Sequence, residues 1–364
     1  MYSFTPTEEQ QMLIDTLTRY AVNDLRTAAP EAEEENHLPA KLIETGWEVG
    51  TLQASLPEDY GGFGDYSAVT GALAAEELAY GDLAGALAIM LPGAVAIPIL
   101  LAGSEEQKQT YLPPIAEAEW RPYTAAILEY HLDFDPFNLR TTAIQEGDQY
   151  VLNGTKTFVP YTADAETILV YANLDGSTQG FLLPADTAGV TVGERQKLLG
   201  INALPVFSLT LENVKIPTSN RLGGSEGHDF IPILSHMQVA NASLALGVSK
   251  AALEYAIAYA KEREVFGVKV AQKQAIAFML AEMATEIEAI RLVVWQAAWM
   301  LDTGNEDATR TAVLANYSAI DMAMMVTDRA VQVLGGYGYI REYPVELWMR
   351  NGRGFSTFTG LAII

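Results

Sequence analysis

The sequence predicts an α+β protein, mostly α. A helical N-terminal domain (1–120) is followed by a middle antiparallel β-domain (121–222) and a C-terminal four-helix bundle (223–364). Three observations carry this. Helical periodicity dominates up to about residue 120. Short apolar runs separated by turn dipeptides replace it as far as about residue 222. Beyond Gly227, three stretches of about thirty residues place apolar side chains three and four apart, the pattern of a bundle once a shorter terminal segment is added.

Thr7 followed by Glu8 and Glu9 opens an amphipathic run through Leu25, a capping-type start. Helical runs follow at 39–49, 66–91 and 105–116. Residues 83–103 carry no charge over a length that meets the threshold for a membrane span. Pro92-Gly93 and Pro98 break that stretch, so it reads as two buried helical segments and no membrane span is expected. The acidic run Glu31, Glu33, Glu34 and Glu35 reads as a solvated face or loop. In the middle region, 150–156 (YVLNGTK) leads into Asn153-Gly154, read as a hairpin turn. Strands are expected at 167–172, 180–183 and 207–211, with turns at Asp175-Gly176 and Pro184. The long helices are expected at 231–263, 269–301 and 306–334.

Hydrophobic residues make up 49% and charged residues 19% of the 364, as in a soluble chain with a large core. Acidic residues number 46 against 22 basic, for a net charge of −24. Such a chain repels nucleic acid and anionic lipid, and any polyanionic ligand needs a local basic pocket. The absence of cysteine excludes disulfides, thiol catalysis and thiolate metal sites. The four histidines, His37, His131, His228 and His236, lack metal-ligand spacing, so no metal is expected. The N-terminal stretch has no basic region leading into an apolar core, which argues against a secretory signal and for a cytoplasmic protein.

Several segments, in order from one end to the other, resemble the acyl-CoA dehydrogenase family. They are 57–62 (PEDYGG), 103–108 (GSEEQK) with 111–113 (YLP), 153–156 (NGTK), and 211–217 (LENVKIP). In the last domain they are 263–268 (REVFGV) with Gln274 eleven residues on, 275–283 (AIAFMLAEM), 331–338 (VQVLGGYG) and 343–346 (YPVE). The resemblance implies FAD-dependent α,β-desaturation of an acyl-CoA thioester. A glutamate removes the α-proton while a hydride passes to the flavin, and an electron-transfer flavoprotein takes the electrons. It also implies a tetramer in which each FAD is shared between neighbouring subunits.

Against that pattern, both positions at which the family carries its base are vacant. The Glu of the family's Glu-Gly-Thr motif falls on Thr359, followed by Gly360 and Leu361; the alternative position falls on Met237, followed by Gln238. No catalytic residue is therefore assigned. The loop that holds the flavin in relatives reads 128–135 (LEYHLDFD), in which only Glu129 and Asp135 match, and the family's Trp-Ile-Thr reads Phe158, Val159, Pro160. Proline offers neither the N–H nor the hydroxyl expected there. The residues that do match are those the resemblance directs at a neighbour's FAD. Arg263 and Phe266 match Arg-x-x-Phe, whose guanidinium meets the pyrophosphate; Gln274 matches a glutamine on the next helix; and Gln332, Gly335 and Gly336 match the segment at the adenosine end.

Three readings stand on this sequence. The first is the base-lacking subunit of a heteromer, completing the FAD site of a second, catalytic acyl-CoA dehydrogenase-family subunit. The second is a complete but divergent flavoenzyme with a relocated base, for which Glu129 is the candidate. The third is a non-catalytic acyl-CoA-binding or scaffold protein. A purely structural role for Arg263, Phe266 and the paired glycines competes with the first.

Overall fold

Thr7 starts the first helix as the residues require: its hydroxyl accepts from the Gln10 amide, and the Gln10 side chain accepts from the Thr7 amide. The computed structural model describes residues 4–364. Helix α1 (Glu8–Tyr20) does not stop at Leu25. A π-helical turn, Ala21–Leu25, carries it into α2 (Arg26–Glu35), which closes on Asn36 in the left-handed conformation. Helix α3 (Ala40–Trp47) follows. The predicted run 66–91 is two helices, α4 (Ala68–Gly81) and α5 (Leu83–Met90), because Asp82 leaves the helical conformation to cap α5 through the Gly85 amide. Burial pushes the Asp82 carboxyl up to about 6 against its backbone hydrogen bonds.

Helix α6 (Gly93–Ala102) meets α5 at a 46° bend, so the uncharged stretch is the expected broken pair, buried inside the protein. Helix α7 (Glu105–Ile115) repeats the capping box, with Ser104 and Gln107.

The middle region forms one mixed sheet. Its strands are β1 (Tyr123–Ala126), β2 (Thr142–Glu146), β3 (Gln149–Pro160), β4 (Thr167–Leu174), β5 (Ser177–Pro184), β6 (Val190–Arg195) and β7 (Val206–Pro217). The order is β1-β4-β2-β3-β7-β6, with β5 on β4. The β2–β3, β3–β7, β4–β5 and β6–β7 pairs are antiparallel as expected, whereas β1 and β2 meet β4 in parallel. Asn153-Gly154 is not a hairpin turn. It lies inside β3 at a register shift, where Gly154 has φ +149 and an added Cβ would stand 2.6 Å from the Thr141 hydroxyl. The dipeptide there makes a bulge under close approach. The chain reverses at Gly147 instead, and Asp175-Gly176 turns as expected, with φ of 51° and 85°.

Helix α8 (Phe230–Glu262) is long and apolar enough to span a membrane, yet 83% of its apolar window is buried within the protein. A small hairpin, β8 (Glu264–Val265) and β9 (Val268–Lys269), leads to α9 (Gln274–Asp302), α10 (Ala308–Leu334) and α11 (Val345–Phe358). One continuous apolar core joins the N-terminal helices to the bundle and one face of the sheet; a second, smaller core lies within the β-region.

Glu33 corrects the reading of the acidic run. Its carboxylate pairs with Arg350 of α11 and accepts from the Asn202 amide and side chain, while Arg350 also reaches Glu346 and the Leu199 carbonyl. One carboxylate of α2 thus ties the β-region and the bundle together.

Candidate functional site

Two regions hold the residues that the sequence singles out. The first is an open face at the end of the bundle. Helix α8 stops at Arg263, and the following hairpin folds back so that the Val270 amide donates to the Arg263 carbonyl across 2.8 Å. Helix α10 ends at Gly335, whose φ of 60° and ψ of −129° require glycine. Between these ends lies a cavity of about 440 Å³ whose lining includes Tyr259, Arg263, Gly335, Gly336 and Tyr337. The structure thus brings Arg263, Gly335 and Gly336 together. Gln332, Gln274 and Phe266 are exposed nearby in the chain but do not line this cavity.

Arg263 has no carboxylate partner among the described residues, in a chain with 46 acidic ones. Its guanidinium lies 5.1 Å from the centre of the Tyr337 ring. That contact leaves the fork of N–H donors free for an oxyanion. Tyr337 in turn meets Tyr343 at 5.3 Å and Tyr259 at 6.4 Å, which fixes the ring. An added Cβ at Gly335 or Gly336 would meet nothing within 4 Å, so this backbone faces open space. A free cation, an aromatic face and bare backbone fit the phosphate and nucleoside part of a dinucleotide. Tyr337 was not singled out by the sequence; its place directly after the paired glycines was the available signal.

Phe266 occupies the turn between β8 and β9 with φ +55 and is 94% exposed, the Lys273 ammonium 5.9 Å from its ring centre. It packs against nothing that would explain it as a core residue.

The second region is where this chain's own flavin and base would stand. Glu129 follows β1 and is buried. One carboxylate oxygen accepts from the Lys156 ammonium and the Thr141 amide, each at 2.8 Å; the other accepts from the Arg140 amide at 2.8 Å and faces His131 Nε2 at 3.1 Å. Burial alone would raise its pKa, but the Lys156 charge and these hydrogen bonds outweigh burial and hold the carboxyl at about 2. Burial pulls Lys156 down to about 8 against the attraction of Glu129, so the pair is charged at neutral pH. A carboxylate so fully engaged is a structural anchor and a poor base. His131 spans Glu129 and Asp133, and Arg140 also holds Asp133, bracing the loop that carries the exposed Tyr130 and Leu132.

On β3 the Phe158 amide is spent on the Gln196 side chain at 2.9 Å, and Pro160 has no amide hydrogen. Phe158 and Tyr161 both sit at positive φ, 53° and 50°, and Tyr161 packs edge-on to Trp120. The donors that would meet a flavin ring are therefore committed or missing, and these residues do not fit it.

Thr359 caps α11, and its hydroxyl accepts from Asn316 at 3.4 Å. Asn316 accepts from Asn241 at 2.7 Å, and Asn241 lies one turn beyond Met237 on α8. Met237 is fully buried. The base position is thus part of a neutral amide–hydroxyl cluster in which no member takes up a proton near neutral pH.

The acyl-CoA dehydrogenase N-terminal, middle and C-terminal domain families match residues 7–119, 126–214 and 230–362. Among curated relatives, an acyl-CoA dehydrogenase of Bacillus subtilis is 34% identical over 366 residues, covering 97% of this chain and 95% of the relative. The caffeyl-CoA reductase–Etf complex subunit CarC of Acetobacterium woodii is 34% identical over 364 residues, covering 97% and 95%. The solved structure of butyryl-CoA dehydrogenase from Megasphaera elsdenii superposes with a TM-score of 0.90 at 31% identity, covering 98% of this chain and 96% of that one.

Proposed function

The chain belongs to the acyl-CoA dehydrogenase family of oxidoreductases, and from that membership we propose that it is the base-lacking subunit of a cytoplasmic heteromer. In this reading it completes the FAD site of a catalytic partner subunit that desaturates an acyl-CoA thioester, as part of fatty acid metabolism. An electron-transfer flavoprotein is the proposed acceptor; one relative is itself named as the subunit of an Etf complex.

The unpaired Arg263 at an open cleft carries the reading, set against a flavin-ring side whose donors are committed or absent. When bound, the flavin supplies the hydride acceptor of the desaturation. This chain's part is to hold and orient its far end: Arg263 would meet the pyrophosphate oxygens through charge-assisted hydrogen bonds. Gly335 and Gly336 would let the backbone approach the adenosine side, and the exposed Gln274 and Gln332 stand outside the cavity lining, where they would offer amides to the cofactor only beyond it. None of the three candidate positions would take the α-proton: Glu129 is locked to Lys156, and Thr359 and Met237 hold no carboxylate.

The test is the ratio of flavin to protein, measured by absorbance for the chain purified alone and for the chain co-purified with a candidate partner subunit. The lone chain is expected to be nearly colourless and the complex yellow. Stoichiometric FAD in the lone chain would overturn the proposal.

A further inference from the structure

The last turns of α9 carry a face that the dehydrogenase reading does not use. Trp295 and Trp299 stand one turn apart there, and Asp302 follows on the same side. These three residues line a cavity of about 260 Å³, whose other walls come from the segment that opens α1 and from the start of α4. The cavity shares no lining residue with the Arg263 cleft.

Several polar groups on these walls are already spent within the protein. Thr7 and Gln10 satisfy each other in the capping box of α1, and the Gln10 side chain also donates to the Thr70 hydroxyl. Ser67 accepts from the Thr70 amide and donates to Asp302 across 2.9 Å. Asp302 differs from them because its charge is unmatched. Its oxygens accept from the Ser67 hydroxyl and from the Ala68 and Val69 amides, at 2.6 and 3.2 Å. Those partners are neutral, so an exposed carboxylate stands at the cavity beside two indoles, with no cation paired to it among the described residues.

We infer that this cavity binds a small quaternary ammonium ion. Tryptophan is the best aromatic partner of a cation, and two tryptophans beside a carboxylate give such an ion both π faces and a counter-charge. The net charge of −24 draws cations rather than anions to the surface. The accounting of acceptors selects the kind of cation. A metal ion or a primary ammonium exchanges its hydration for several oxygen acceptors, and Asp302 already spends three acceptor positions on α4 and its cap. A trimethylated nitrogen asks for no acceptor, only for apolar and aromatic contact with a negative charge nearby. The cavity has room for about eight water-sized groups, enough for a trimethylammonium head and a short arm. Neither flavin nor partner subunit enters this inference, so it stands or falls apart from the proposed function.

The probes are choline and its neutral carbon counterpart of the same shape, 3,3-dimethylbutan-1-ol. Each is titrated calorimetrically into the full chain in about 0.15 M sodium chloride, which screens loose attraction to the net charge. Choline is expected to bind at one site per chain, and the neutral counterpart about tenfold more weakly or not at all. Trp299→Leu keeps the wall apolar and removes one aromatic face; it is expected to weaken choline about tenfold and so to erase the preference. Asp302→Asn, whose side-chain oxygen can still cap α4, is expected to weaken choline about fivefold without changing the counterpart. Should Trp299→Leu fail to fold, Trp299→Phe supplies a poorer cation partner and is expected to weaken choline about threefold. No binding of choline to the wild type, or equal binding of the two probes, would overturn the inference. So would a preference for choline that persists undiminished when Trp299 is replaced.

Discussion

The Lys156 ammonium lies 2.8 Å from the Glu129 carboxylate with both side chains out of water. The pair joins the loop after β1 to the middle of β3, where backbone amides of Arg140 and Thr141 complete the carboxylate's coordination. With its oxygens engaged in this way, Glu129 braces the loop.

Replacing Glu129 with Gln turns an amide donor toward Lys156 or a backbone N–H and leaves a buried ammonium uncompensated. Glu129→Gln is expected to destabilise the chain by about 3–5 kcal/mol, read from urea denaturation. The Glu129→Gln, Lys156→Met pair is expected to lose clearly less.

The same pair sets an acid limit. The Glu129 carboxyl is held at about 2, below its ordinary value of 4.5. Its stabilising contribution is therefore complete above about 4.5 and is lost as pH falls from there toward 2. Denaturation midpoints measured across that window should fall more steeply for the wild type than for the double variant.

Thr359→Glu is expected to leave the isolated chain at background activity with any straight-chain acyl-CoA. A carboxylate there would abstract a proton only with the thioester held at near-attack distance and a hydride acceptor on the opposite face, and the residues at Phe158 and Pro160 offer that acceptor no donors. Anaerobic bleaching of bound flavin by that single mutant would contradict the proposal of a base-lacking subunit.

Arg263→Ala separates cofactor binding from packing. The side chain is exposed and carries no ion pair among the described residues, so the lone chain's stability is expected to change by less than about 0.5 kcal/mol. Flavin retention by the complex, followed by dialysis, is expected to weaken ten- to a hundredfold, with Arg263→Lys in between. Unchanged retention would return Arg263 to a structural role.

Arg350→Met should loosen the junction of α2, the β-region and α11, because Glu33 and Glu346 lose their common cation. A loss of about 3 kcal/mol is expected, together with faster proteolysis near residues 199–203.

Local chemistry was legible in the sequence, and long-range pairing was not. Thr7 announced its helix because a capping box is written within four residues. Pro92-Gly93 likewise announced the bend in the uncharged stretch. Asn153-Gly154 misled because the same dipeptide serves a hairpin turn and a bulge, and only Thr141 pressing on Gly154 tells them apart. Glu33 looked like one of several surface acids, since its partner lies 317 residues away. The matching residues at the open face were legible as types at fixed spacing; that Tyr337 would cover Arg263 depended on how α10 ends.

Phe266 and Gly267 occupy a two-residue turn with φ of 55° and 79°, the geometry in which Asn-Gly is the preferred pair. A phenylalanine there is the wrong residue for a solitary molecule, since its backbone is strained and its ring stands in water. Phe266→Asn should therefore make the lone chain more stable, by several tenths of a kcal/mol up to about 1. The native side chain is a standing local frustration, and a search for sturdier variants of the isolated chain would remove it early, discarding whatever it does for an assembled complex.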